Sequence, residues 1–273
     1  MTRNCNVCSQ MSTWLDTFQG PKLNEIFWYE WAREHEHGEP SHKQRKTAND
    51  EDGKTSAPRK KLIKCCKSGT VLTAIKRLAE KLPGILLHVF IKREQSNCFQ
   101  TKLLSIPKGS AVIQVDFSEN YTLQHQGEIQ SAYWNQSQLT IFTVCVWMNN
   151  EQRSMVFMSD DLDHDKTSVC VFMHKVLTKL TTEDAIKKAD IFPDGPSSQF
   201  KNQYIFNFLP FLYKQHHLDC LNWNFFATSH NKGAVDGIGG TVKRNVWMEI
   251  LSRQEVINSL EEFCKVCMKK EQK

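Results

Sequence analysis

Three apolar stretches followed by alternating helical and strand-like segments constrain the fold of this chain most strongly. Residues 111–117 (AVIQVDF) form a nearly continuous apolar run, typical of a buried central strand. The patterns at 139–147 and 154–158 predict two further strands. Three strands followed by alternating helices and strands predict an α/β fold, with a mixed sheet that carries helices on both faces. The later predicted elements are helix 166–180, strand 189–192, helix 195–212, strand 221–227, helix 234–250 and helix 254–269.

The chain before residue 110 has a different character. Apolar residues at 23–33 predict a helix within a helical region 1–40, and the polar segment 41–64 predicts a linker. An amphipathic helix is expected at 69–82 and should end at Pro83-Gly84. These patterns divide the chain into a helical region 1–40, a linker 41–64, a basic helical region 65–104, an α/β domain 105–253 and a C-terminal helix 254–273.

Hydropathy and cysteine content narrow the class of protein. The chain has 273 residues and no run near the roughly 18 apolar residues that span a bilayer. Its N-terminus, MTRNCNVCSQ, has no apolar signal-peptide core. The ten cysteines are therefore expected to be reduced thiols or metal ligands rather than a disulfide framework. We expect an intracellular protein with no membrane partner.

The positive charge of the chain is concentrated in one segment. Residues 41–102 carry 15 Lys and Arg against 5 Asp and Glu, whereas residues 1–40 and 103–273 carry small negative excesses. Such a block is typical of a surface that binds a polyanion, most often nucleic acid. A solvated linker with surface lysines is the alternative.

Three aspartates follow predicted strands or begin a predicted helix. Asp116 lies near the end of the most buried predicted strand, Asp194 follows the strand 189–192, and Asp236 lies near the start of the helix 234–250. Reactive groups of open α/β sheets gather at the carboxyl ends of strands, and three carboxylates there could hold two Mg²⁺ ions. For each aspartate alone, turn formation is the alternative. The acidic segment 160–165 is interpreted as a helix N-cap rather than an auxiliary metal site.

Four sequence strings strengthen this interpretation. They are DFSENY from Asp116, SDDLDHD from Ser159, DGPSSQFKN from Asp194, and SHNKGAVDGIGGTVKR from Ser229. Together with the order of elements, they resemble transposon-derived proteins of animal genomes, and through them DDE/DDD transposases and retroviral-type integrases, which have an RNase H-like catalytic domain. The resemblance covers about residues 65–250.

The resemblance implies a nuclease and strand transferase that acts on DNA phosphodiesters by two-metal-ion catalysis. Asp116, Asp194 and Asp236 would be the catalytic ligands of Mg²⁺ or Mn²⁺, and 105–253 would be the RNase H-like domain. The further implications are a nuclear location, DNA as partner, an oligomer of identical subunits on DNA, and no nucleotide cofactor. The residues expected to contact DNA are Lys201, Lys243, Arg244, Lys60 and Lys61.

Two alternatives to a strand transferase are open. A nuclease that only hydrolyses DNA would use the same three aspartates. A domesticated or decayed transposase-derived protein would bind DNA or protein without catalysis, and the lack of a complete DNA-recognition module before residue 65 favours it. The glycines of the Asp236 string are expected to allow close approach to the sheet or to DNA, because their position does not suit a dinucleotide-binding loop.

The cysteine spacing offers one candidate zinc site. Cys5 and Cys8 could supply half of a Zn²⁺ site, completed by ligands among His35, His37, Cys65 and Cys66. The second CxxC pair, Cys264 and Cys267, continues an apolar helical stripe, so packing is the preferred interpretation there.

Overall fold

The computed structural model describes residues 18–35, 60–123, 137–226, 233–252 and 257–271. The chain divides into two compact units, Met1–Leu87 and His88–Lys273. Each unit is considered by itself below. None of the helices in the described ranges is long and apolar enough to cross a membrane.

The first unit contains an antiparallel ribbon in place of the helix predicted at 23–33. Strand β1 (Glu25–His35) pairs with β2 (Lys60–Thr70) over its whole length. The helix prediction was wrong because this aromatic segment also alternates with a period of two, and its pairing partner is distant in sequence. Strand β2 also takes residues 60–64 of the predicted linker, while 41–59 lie outside the described residues.

The helix that follows does not stop at Pro83-Gly84. Helix α1 runs from Val71 to Leu104 with Pro83 inside it. A proline costs a helix one hydrogen bond and introduces a kink, but it does not always end the helix. Near the C-terminal end of α1, Phe99 is buried and makes edge-to-face contacts with Phe192 and Phe226. This tertiary packing stabilises the second half of the helix.

The second unit is built on a five-stranded mixed sheet. The strands are β3 (Ser110–Thr122), β4 (Gln138–Met148), β5 (Glu151–Ser159), β6 (Lys188–Pro193) and β7 (Cys220–Trp223). Their order is β5-β4-β3-β6-β7. The first three are antiparallel neighbours, whereas β6 and β7 run parallel to β3. The predicted α/β class with a mixed sheet flanked by helices is thus confirmed.

Helices cover both faces of this sheet. They are α2 (Lys166–Glu183), α3 (Gln203–Gln215), α4 (Ala234–Leu251) and α5 (Leu260–Glu271). Buried residues of α2 and α3 join Ile113 and Val115 of β3 in the largest apolar cluster. Residues of α4 and α5 form a second cluster with Ile141 of β4. The central strands are therefore buried on both faces, which explains their continuous apolar sequence.

Several predicted boundaries shift for local reasons. Helix α3 begins only at Gln203, because Asn202 caps it by accepting a hydrogen bond from the backbone N–H of Ile205. It then continues through Pro210 to Gln215, three residues beyond the predicted end at 212. Strand β7 ends at Trp223, earlier than predicted, and α5 begins later, at Leu260.

Candidate functional site

Asp116 lies on β3, and Asp194 directly follows the neighbouring parallel strand β6. Val115 of β3 is the register partner of Pro193, the last residue of β6, so each aspartate comes directly after one member of this pair. Both side chains are half-buried, Oδ1 of Asp194 is shielded from solvent, and Oδ1 of Asp116 accepts a hydrogen bond of 2.8 Å from the backbone N–H of Phe117. Because β3 continues to Thr122, Asp116 lies in the middle of that strand and not near its end as predicted, and the register places it beside the carboxyl end of β6, which Asp194 follows.

Helix α4 packs through glycine on the face of β3 that carries Asp116. A Cβ added at Gly239 would lie 2.6 Å from Oγ of Ser118, and one at Gly233 would lie 3.1 Å from Nε2 of Gln114. Because Gln114 and Ser118 flank Asp116 at alternate positions of β3, the first turns of α4 run alongside that aspartate. The expected close approach of a glycine to the sheet is met at Gly239, where no larger residue fits.

Asp236 lies in the first turn of α4 and acts on its own helix. Its Oδ2 accepts a hydrogen bond of 3.2 Å from the backbone N–H of Gly233, and the residue is exposed. A carboxylate at this position satisfies a free N–H and stabilises the positive end of the helix dipole. Asp236 is thus on the helix that borders Asp116, while its carboxylate is engaged with the start of that helix.

The carboxylates of Asp116, Asp194 and Asp236 meet the requirements of a Mg²⁺ or Mn²⁺ site only in part. Carboxylate oxygens are the ligands that Mg²⁺ and Mn²⁺ prefer, and the Asp116–Asp194 pair fits that requirement. Among the described residues, however, no three His, Cys, Asp or Glu side chains come together where they could hold a metal ion. With Asp236 capping its own helix, the arrangement offers two carboxylates rather than three.

The basic residues predicted to contact DNA differ in exposure. Arg244 and Lys61 are exposed, as is Lys201, whose ammonium lies 5.4 Å from the centre of the Phe225 ring. Lys243 is half-buried; burial lowers its pKa, and the nearby carboxylate of Glu119 opposes that shift. Lys60 lies on β2, but its side chain is outside the described part of the chain.

The acidic segment before α2 is a helix cap, as predicted. Oδ1 of Asp165 accepts hydrogen bonds of 2.8 and 3.0 Å from the backbone N–H groups of Thr167 and Ser168. The bond from Ser168 is the main cause that lowers the pKa of Asp165. His164, just before the cap, stacks on Phe117 with ring centres 4.4 Å apart.

Two polar groups around the site were not predicted. Gln114 is almost fully buried beneath Gly233, and its position inside an apolar strand is a sequence signal that could have identified it. Asp190 of β6 forms a 2.9 Å ion pair with Lys102 of α1 and accepts a hydrogen bond from Asn222. Nothing in the local sequence indicated this pairing, because its partners are 88 and 32 residues away.

The candidate zinc ligands Cys5 and Cys8 lie outside the described residues, as does His37. Cys65 and Cys66 lie on β2, and none of the eight cysteines that the structure describes forms a disulfide bond. Cys264 and Cys267 lie on α5. Cys267 packs against the apolar cluster beneath α4, as predicted, and burial raises the pKa of Cys264.

Comparison with known proteins identifies the family. The family model described as "Domain of unknown function (DUF8701)" matches residues 95–273. The chain belongs to this family. The DUF8701 region contains the part of α1 beyond Glu94, the five-stranded sheet, and both Asp116 and Asp194. No curated protein matches the chain.

One solved structure shares limited similarity with this DUF8701 protein. It is the crystal structure of NurA bound to dAMP and manganese, with 13% sequence identity and a TM-score of 0.21. The match covers 48% of this chain and 31% of NurA. A likeness at this level supports no assignment of fold or function.

Proposed function

We propose that this DUF8701 protein is a metal-dependent nuclease and strand transferase that acts on DNA, with an RNase H-like catalytic domain. The observation that carries the proposal is the register pair Val115–Pro193 of the parallel strands β3 and β6, since Asp116 and Asp194 directly follow its two members. The strand order β5-β4-β3-β6-β7, with three antiparallel strands followed by two parallel ones and helices on both faces, supports the fold.

The two carboxylates suit the binding of Mg²⁺ or Mn²⁺. Such ions activate the attacking oxygen and stabilise the leaving oxygen of a phosphodiester. In the proposal, Asp116 and Asp194 hold the ions, and Asp236 is the third ligand. To bind an ion, Asp236 would have to break its 3.2 Å hydrogen bond with the backbone N–H of Gly233 and so stop capping α4.

Phosphate contacts in the proposal come from the five basic residues described above. Arg244 and Lys201 are exposed and so are available to a DNA backbone. Lys243 is half-buried beside Glu119, and a bound phosphate would add a second negative partner to its ammonium. Lys60 and Lys61 belong to the basic segment on β2. An oligomer on DNA and a nuclear location stay predictions.

A second candidate is supported by a different observation. Asp236 caps α4, and no three metal-binding side chains converge in the described residues. These facts favour a protein that binds DNA or another protein without cutting DNA. The two candidates differ in whether DNA is broken, so a single assay separates them.

The test is Mn²⁺-dependent nicking of supercoiled DNA by the full chain and by Asp194→Asn. Asp190→Asn is a matched control, because Asp190 lies on β6, only four residues before Asp194, but is paired with Lys102 and Asn222. We expect Asp194→Asn to reduce nicking to the level of a metal-free incubation, and Asp190→Asn to keep it. Equal nicking by Asp194→Asn and the parent chain would contradict the assignment. DNA binding without any nicking by the parent chain would favour the second candidate.

A further inference from the structure

The β1–β2 ribbon of the first unit has two chemically different faces. Residues 26, 28 and 30 of β1 are half-buried, whereas the three aromatic residues between and after them are exposed. Phe27 is 75% exposed, Tyr29 64% and Trp31 66%. Alternate residues of a strand lie on one face about 6.6–6.8 Å apart. Three aromatic side chains therefore stand in a row on the outer face of the ribbon.

Contacts on the inner face keep these rings outside. Glu30 accepts a hydrogen bond of 2.9 Å from Nε1 of Trp28 and forms ion pairs of 3.2 and 3.3 Å with Arg77 and Lys81 of α1. The bond from Trp28 is the largest contribution that lowers the pKa of Glu30 to about 2. The indole of Trp28 also closely approaches Gly69. A slip by one residue would expose these contacts, so the register holds the other three rings outward.

Polar and cationic groups lie beside the exposed rings. The partners of Phe27, Tyr29 and Trp31 on β2 are Ser68, Cys66 and Lys64. All three partners are exposed, and the ammonium of Lys64 lies 4.5 Å from the centre of the Tyr29 ring. The segment 41–102, which contains β2 and all but the last two residues of α1, holds the whole positive excess of the chain. The face thus combines flat aromatic surfaces with nearby positive charge.

We propose that this face binds single-stranded nucleic acid, by stacking of bases on Phe27, Tyr29 and Trp31. Every unpaired base presents an aromatic face, and proteins that bind single strands combine such rings with cations that contact phosphates. Lys64 has a flexible stem, so its ammonium moves from the Tyr29 ring to a phosphate when a base takes its place. A duplex keeps its bases stacked on each other and cannot use the rings in this way. The inference does not depend on cleavage by the second unit.

The experiment measures binding of the full chain to a fluorescently labelled oligothymidine by anisotropy. We expect Tyr29→Ala and Trp31→Ala each to weaken binding by about 5- to 150-fold, the usual value of one stacked base. Tyr29→Phe keeps the ring and should bind within about twofold of the parent chain by the same argument. Lys64→Ala should lower the salt dependence of binding by about 0.7 in log–log slope, as for one lost phosphate contact.

Tyr204→Ala is the matched control. Tyr204 is also an exposed tyrosine, 56% accessible, with the ammonium of Lys166 4.8 Å from its ring centre, but it lies on α3 of the second unit. We expect this variant to bind as the parent chain does. Unchanged affinity in both ribbon variants would overturn the proposal, as would an equal loss in Tyr204→Ala. A dimer that Trp31→Ala dissociates, with no change in affinity for the oligonucleotide, would assign the face to a second copy of the chain instead.

Discussion

The two faces of the central strand β3 differ in what covers them. On one face, Ile113 and Val115 are fully buried in the apolar cluster beneath α2 and α3. On the other, Gln114, Asp116 and Ser118 lie along α4. The apolar face gains its stability from burial, which is non-directional. The polar face needs a closely packed helix and satisfied hydrogen bonds, so it is the face where small changes of geometry should alter chemistry.

The largest expected effect is on the apolar face. Phe142 of β4 is fully buried, stacks on Phe172 at 4.9 Å and contacts Phe117 at 5.0 Å between ring centres. Phe142→Ala leaves a cavity and should reduce the free energy of unfolding by about 3–5 kcal/mol. Chemical denaturation measures this change. Phe206→Ala, which truncates a phenylalanine that is 46% exposed, should cost less than about 1 kcal/mol. Similar losses in both variants would contradict the contrast between core and surface.

A smaller effect is expected where α4 meets the polar face. The Cβ of Gly239→Ala would lie 2.6 Å from Oγ and 2.9 Å from Cβ of Ser118, so the helix must move away from the strand. Overpacking of this kind costs about 1–3 kcal/mol. Gly240→Ala is the matched control, because nothing lies within 4 Å of its added Cβ. That variant should gain up to about 1 kcal/mol from helix propensity. Thermal unfolding of both variants would show opposite shifts, and shifts of the same sign would contradict this packing.

The smallest effect concerns the pH dependence of stability near α2 and α3. Nδ1 of His174 lies 3.0 Å from Nε2 of His216. Burial is the main cause that lowers the pKa of His216, and the charges of His174 and His217 contribute. Because the unfolded chain takes up this proton near pH 6.5, the free energy of unfolding should fall as the pH drops below that value, by less than about 1.4 kcal/mol per pH unit. Urea denaturation between pH 5 and 8 measures the slope.

A matched pair of variants assigns this slope to the histidine pair. His216→Gln removes the buried ring and should flatten the pH dependence in part, because burial also lowers the pKa of His164. His217→Asn alters the exposed neighbour, whose backbone φ of 49° asparagine tolerates. It should leave most of the slope in place. A slope that His216→Gln leaves untouched would show that other groups control it.

Predictions from sequence succeeded where a local pattern of residues was compatible with only one type of secondary structure. The continuous apolar run at 111–117 and the three-strand start of the sheet predicted β3, β4 and β5, and the alternation beyond them predicted the helices on both faces. The segment at 23–33 failed because its dense aromatic residues fit either a helical or an extended period. The choice depended on β2, which lies 25 residues beyond the end of β1. Pro83 was predicted to end the helix, because the local sequence does not reveal the packing of Phe99 that stabilises the second half of α1.

The sequence by itself determined that Asp116 belongs to a buried strand and that Asp194 follows one, since strands are encoded locally by apolar runs and the turn residues after them. It therefore pointed to these two aspartates before any contact was known. Only the tertiary structure decided that β3 continues past Asp116, that its register with β6 brings Asp116 beside the end of β6, that Asp236 caps its own helix, and that Gly239 lets α4 approach Ser118. These facts depend on strand register and helix docking. Both arise from contacts between residues far apart in the chain, which no local pattern records.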